Sequence, residues 1–235
     1  MTAPLVFAGA VAKQAWREYG IIVGSHILQI NDIKEERFNP MGVSDAELAE
    51  LHTKKFAVMD DAVGEKMQER ILQAKSELNS VGGVIEAIAL HLPAGIGAPY
   101  FDSVESMLSH ALFSVPAVKG VEFGDGFGFA RLTGAEANDA LHYVDGKVKA
   151  LTNHNGGVTG GITNGMPFVV RVAIKPTPSI AREQQTVSLK EQADTTLAIV
   201  GRHDPCIVQR AVPVIEAVVA WTLWDLLLEA KKWEK

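Results

Sequence analysis

The apolar positions change period along the chain, and each change marks an element. From Pro4 to Tyr19 they recur at helical spacing, and Gly20 follows as a C′ residue that tolerates positive φ. Ile21 to Ile30 reads as a strand. Ser44 and Glu47 make a capping box that opens a long helix, along which Met59, Val63, Met67, Ile71 and Ala74 recur every three or four residues. Val81 to Leu92 is a second strand, and Asp102 to Phe113 a helix with Phe101, Val104, Leu108 and Leu112 along one face. Val115 to Phe123 is a third strand, GDGFGFARLTG a loop, and Ala135 to Tyr143 a short helix. Met166 to Lys175 is a fourth strand, and the last helix begins near Pro213, a residue allowed in a first turn. Strands interleaved with long helices predict a layered α/β or α+β fold. Neither a short-period repeat nor a low-complexity linker divides residues 1–235, which are expected to form one domain.

Composition narrows the function classes. With 47% hydrophobic and 21% charged residues over 235 positions, the chain can bury a full core. A net charge of -6 and a pI near 5.7 argue against nucleic acid or an anionic membrane as partner, since both need a basic footprint. The lone Cys206 rules out an internal disulfide and a cysteine-rich zinc site, which fits a cytoplasmic protein. The first twenty residues lack a basic n-region and read as a helix, not a signal peptide. The apolar run Ala211–Ala230 is interrupted by Glu216 and Asp225, so a buried core helix is expected there, not a membrane span.

Motifs then separate weak signals from strong ones. GDGFG, at Gly124–Gly128, misplaces the third glycine of a dinucleotide loop and no helix opens directly after it. A P-loop, a G-x-S-x-G elbow and an H-E-x-x-H pair are all missing, and the scattered histidines support no metal site. His154 suits a hydrogen-bonding role, and the other histidines read as surface or satisfied buried groups. HNGGVTGGITNGMPFVVRVAIKPTPSI, from His154 to Ile180, sets two Gly-Gly pairs before an apolar strand that ends on Lys175 and two prolines. GRHDPCIVQRAVPVIEA, from Gly201, crowds Arg202, His203 and Asp204 into a turn, where an arginine can clamp a carboxylate or phosphate and a carboxylate can accept a ring N–H. FSVPAVKGVEFGDGFG, from Phe113, adds glycines that let a ligand approach the backbone. Together these stretches predict a pocket for an anionic, ring-shaped ligand. Both Gly-Gly pairs are expected beneath that ligand, with the strand aiming Lys175 at it.

These blocks, with NSVGG at Asn79–Gly83 and the PAGIGAPYFD loop, resemble in the same order the C-terminal blocks of chorismate synthase. The resemblance implies the family's β-α-β sandwich and its reaction. That reaction is the anti 1,4-elimination of phosphate from 5-enolpyruvylshikimate 3-phosphate, which gives chorismate with reduced FMN as cofactor and is redox-neutral overall. It implies that Lys175 and Ser179 of the K-P-x-x-[ST] segment contact the flavin, that Arg202 and Asp204 of the R-[HS]-D segment lie at flavin and substrate as catalytic groups, and that Ala117 offers backbone to the flavin. Pro116 departs from the asparagine found in some members, so a side-chain contact there is not expected. The family's tetramers imply self-association. MTAPLVFAGAVAK lines up with the helix after the family's G-G-R-x-S-x-R-E-T segment. The histidines and arginines of the preceding region are therefore unmatched, and the resemblance leaves two expectations open: an FMN-dependent phosphate lyase, or an inactive fragment that keeps the fold, weak flavin binding or a role in subunit association.

Overall fold

The structure, a computed structural model, describes residues 2–231. Helix α1 (Ala3–Arg17) leads into β1 (Ile22–Ile30) and the short β2 (Ile33–Lys34), followed by α2 (Asp45–Leu51), α3 (Asp61–Ser76), β3 (Gly83–Leu90), α4 (Val104–Phe113) and β4 (Val118–Phe123). Three small hairpins come next in part: β5 (Leu141–Val144) with β6 (Lys147–Ala150), and β7 (Val158–Thr159) with β8 (Ile162–Thr163). Strand β9 (Phe168–Ile174) precedes the third hairpin, β10 (Gln184–Ser188) with β11 (Ala193–Leu197), and α5 (Val208–Lys231) closes the order. The main sheet runs β2-β1-β3-β9-β4 with every pairing antiparallel. Of the two layered classes expected, the pairing selects α+β.

Side-chain alternation decides how the layers stack. Ile85, Ala87 and Ala89 of β3, with Phe168, Val170 and Val172 of β9, face the main core, where they meet Leu108 of α4 and Ile215, Val219 and Leu223 of α5. The opposite face holds a smaller cluster of Phe38, Leu48, Leu51, Ile88, Leu90 and Val169. Helices α1 and α5 pack tightly: Trp16 donates its ring N–H to the Ala220 carbonyl at 2.9 Å, and a Cβ on Gly9 would overlap Ala217. Glu216 of α5 is buried, yet it accepts from Lys13 at 2.5 Å, Ser25 at 2.7 Å and His52 at 3.0 Å. Burial alone would raise its pKa, but the His52 hydrogen bond and the Lys13 charge win, so its carboxyl stays below the usual range. Helix α5 is apolar and long enough to cross a membrane, and 67% of that apolar window is buried here.

One row of charges crosses the second face. His26, Glu86, Arg171 and Glu122 are cross-strand partners on β1, β3, β9 and β4, so positive and negative groups alternate over four strands. His26 Nε2 meets Glu86 at 3.1 Å, Arg171 reaches Glu86 at 3.2 Å and Glu122 at 2.6 Å, and Arg171 also donates to the Gly124 carbonyl. Glu35 closes the far end on His26 Nδ1 and accepts the backbone N–H groups of Met59 and Asp60.

Three expected elements are redrawn. The long helix after Ser44 is two helices. Ile27 sits at a bulge and donates to the Ala57 carbonyl at 2.7 Å, Glu35 holds Met59 and Asp60, and Asp60 caps a fresh helix through Ala62 and Val63. The expected helix over Ala135–Tyr143 is one turn at Thr133–Ala137, then β5. Asp145 and Gly146 both adopt positive φ, 51° and 75°, and such a pair forms a hairpin turn. Helix α5 starts at Val208, not near Pro213, because buried Val208 and Val212 extend its packed face toward the N-terminus. The lone Cys206 is buried and unpaired, and burial pushes its thiol pKa up.

The charge row gives stability a defined pH dependence. Burial disfavours a charged His26, but its hydrogen bonds to Glu35 and Glu86 and their negative charges outweigh that, so its pKa lies above the ordinary 6.5. Its contribution is complete below pH 6.5 and is lost as pH rises through the elevated value. Burial likewise opposes ionisation of Glu86, but His26 leads the groups that hold its pKa below 4.5, so its share is lost only as pH falls beneath that. Thermal unfolding is predicted to show a lower Tm at alkaline pH than near pH 6. His26→Gln is predicted to lose about 3–5 kcal/mol and to flatten the alkaline slope, and an unchanged slope would contradict the assignment.

Candidate functional site

Leu78 to Gly82, the segment entering β3, ties the predicted site residues to one end of the sheet. Arg182 donates its backbone N–H to the Leu78 carbonyl at 3.2 Å, and Ser80 Oγ donates to the Thr177 carbonyl at 2.6 Å. Val81 N–H donates to the Pro205 carbonyl at 2.8 Å. A Cβ on Gly82 would overlap the Ile174 carbonyl and press on Pro176, so only glycine fits beneath the exit of β9. The segment therefore touches the K-P-T-P-S stretch and the R-H-D-P stretch at once.

Each predicted residue has a distinct support. Ala117 sits at φ 74°, a strained value for a residue with a Cβ, and its carbonyl accepts the Lys175 N–H at 2.9 Å. Lys175 follows the last residue of β9, and its exposed ammonium has no ion pair among the described residues. Ser179 lies at the root of the β10–β11 hairpin, where Ile199 N–H donates to the Ile180 carbonyl at 3.3 Å and brings residues 199–202 back beside it. Arg202 is exposed and free of ion pairs among the described residues, while Asp204 Oδ2 accepts from Arg210 at 2.7 Å. His203 is held by the Ile199 carbonyl at 2.8 Å. Lys175 and Arg202 are thus uncommitted cations and Asp204 an oriented carboxylate, groups of the kind that suit a phosphate-bearing ring. Three cavities of about 1170, 480 and 320 Å³ lie elsewhere and include none of these five residues. Among the described residues, no cluster of His, Cys, Asp and Glu could hold a metal ion.

The Gly-Gly pairs do not sit beneath this corner within the chain. Gly156 packs against Gly124, and Gly157 against the backbone at Met166–Phe168, so both lie where β9 begins, seven residues before Lys175. At ~3.3 Å per residue that is roughly 20 Å. Their positive φ, 62° and 83°, serves a turn that Asp139 and Asn153 hold: Asp139 accepts the backbone N–H groups of His154 and Asn155, and Asn153 that of Gly157. His154 does have the hydrogen-bonding role expected of it, with Nδ1 2.6 Å from Asp125. The β10–β11 hairpin escaped the sequence reading because its residues are exposed on both faces. Its β-branched content, TVS and TTL, was the available signal.

An antiparallel sheet packed against helices, with exposed cations at one end, defines an α+β protein. Comparison with known proteins is specific. Residues 1–228 match the family model for chorismate synthase. Curated chorismate synthases of Thermococcus gammatolerans and Pyrococcus abyssi are 44% and 43% identical over 234 residues, covering 100% of this chain and 64% of each relative. A crystal structure of chorismate synthase superposes with a TM-score of 0.79 at 31% identity, covering 97% of this chain and 63% of that one. The chain belongs to the chorismate synthase family and spans about two-thirds of the length of these relatives.

Gly82→Ala tests the segment that gathers the corner. Overpacking against the Ile174 carbonyl is predicted to cost about 1–3 kcal/mol in urea unfolding, and full stability in that variant would mean the close approach does not constrain the corner.

Proposed function

We propose that this protein acts as a chorismate synthase, converting 5-enolpyruvylshikimate 3-phosphate to chorismate and phosphate by anti 1,4-elimination with reduced FMN. The observation that carries the reading is that residues 78–82 bond to Thr177 of the K-P-T-P-S stretch and to Pro205 of the R-H-D-P stretch, in a chain whose family match runs over residues 1–228. The groups present suit the cofactor: two free cations for phosphate and reduced-ring charge, a hydroxyl, and backbone opened by the strained Ala117.

When bound, reduced FMN would supply an electron-rich ring to the elimination. Arg202 holds an anionic substrate group, since its guanidinium can grip two oxygens at once and has no internal partner to abandon. Lys175 would balance the negative charge of the reduced ring. Arg210 occupies Asp204 Oδ2, which leaves Oδ1 to accept or deliver a proton. Pro176 and Pro178 stiffen the exit of β9, so Ser179 loses little freedom on binding. The same reading takes the chain as one domain of a cytoplasmic, self-associating enzyme, tetrameric as in the family. No observation favours the inactive-fragment alternative.

The direct experiment is anaerobic. The full-length protein, supplied with dithionite-reduced FMN and the enolpyruvyl phosphate, is predicted to release phosphate and chorismate in equal amounts, and oxidised FMN is predicted to give neither. Arg202→Ala is predicted to lower turnover by about 10²–10³-fold, with the fold intact by circular dichroism. Phosphate release that ignores the flavin's oxidation state would overturn the proposal.

A further inference from the structure

The GDGFG turn, at the other end of the sheet from Lys175, has the makings of a second site. A cavity of about 320 Å³ opens there, lined by Arg37, Glu122, Asp125, Phe127, Arg131 and their neighbours. Its floor is rigid. Glu122 is clamped by Arg171 at 2.6 Å and accepts the Phe127 N–H at 3.2 Å, and Arg171, itself 4% exposed, also holds the Gly124 carbonyl. Gly124 and Gly126 adopt φ 53° and 54°, and a Cβ on either would overlap His154 backbone or the Glu122 side chain. The turn is therefore fixed before any ligand arrives.

Its charges are unevenly committed. Glu122 is used by Arg171 and the Phe127 amide, and Asp125 Oδ2 faces His154 Nδ1 at 2.6 Å. The two arginines are free by comparison: Arg37 comes no nearer than 3.9 Å to Asp125, and Arg131 has no hydrogen bond or ion pair among the described residues. Both carboxylates on the wall have internal partners, while two guanidinium forks face the cavity with donors to spare. The Phe127 ring, 85% exposed, stands beside them.

We propose that Arg37 and Arg131 form a second oxyanion site, for a phosphate or a carboxylate group, distinct from the corner at Lys175. About 20 Å of β9 separates the two, so the inference does not depend on the proposed reaction. The test is an amide NMR titration of the ¹⁵N-labelled protein with inorganic phosphate and, separately, benzoate. Saturable shifts of residues 126–132 are expected, with a Kd on the order of 1 mM, as suits a water-open pocket. They should vanish in the Arg37→Ala/Arg131→Ala double variant, whose exposed substitutions leave the remaining spectrum in place, and persist in Lys175→Ala. Shifts with phosphate, with benzoate or with both, lost in the double variant, support the site and identify its anion. Absence of saturable shifts with either probe, their survival in the double variant, or their loss in Lys175→Ala would overturn it.

Discussion

Gly82 can lie under the Ile174 carbonyl only because it has no side chain, and the candidate site follows from that approach. The contact lets residues 78–82 enter β3 while touching the exit of β9, the root of the β10–β11 hairpin and the turn before α5. Three stretches far apart in sequence are thereby held at one sheet end. Ala117 is drawn in through β4, which pairs with β9 and delivers its carbonyl to the Lys175 N–H. The strain at Ala117 is held by this surrounding lattice of backbone bonds, as expected where local geometry serves a site.

The sheet also separates two kinds of charge. Across its middle, the row His26–Glu86–Arg171–Glu122 is internally neutralised, buried except for the partly exposed Glu122, and it keeps β1, β3, β9 and β4 in register. A one-residue slip would break each pair and put the row into the apolar core. At the ends the cations are exposed and unpaired: Lys175 and Arg202 at one, Arg131 at the other. A protein with net charge -6 thus offers local positive ground for anions without a basic surface overall.

Much of the fold was legible because its signals are strong and local. Four of the five main-sheet strands follow apolar runs, and α1, α4 and the body of α5 follow helical periodicity. What failed has physical causes. The break between α2 and α3 depends on Glu35, a carboxylate buried by strands elsewhere that captures the Met59 and Asp60 amides, and no local pattern announces it. The β5–β6 turn did have a local signal, Asp145–Gly146, which was outweighed by the helical look of the residues before it. K-P-T-P-S and R-H-D-P were the stretches the sequence marked as candidates for anion chemistry, and the fold ties both to residues 78–82. The Gly-Gly pairs were readable as turns but not as belonging to the opposite end, because a glycine shows only that the backbone must bend or approach closely. Which neighbour it approaches is tertiary information.

The account's central claim is that Lys175 and Arg202 contact the same reduced flavin, with Arg202 also holding an anionic group of the substrate. A double-mutant cycle on reduced-FMN affinity, with Lys175→Ala, Arg202→Ala and the pair, measures this most directly. The account predicts that each single change weakens binding and that their combined loss departs from the sum by at least about 0.5 kcal/mol. Strictly additive losses, or an affinity indifferent to either residue, would contradict it.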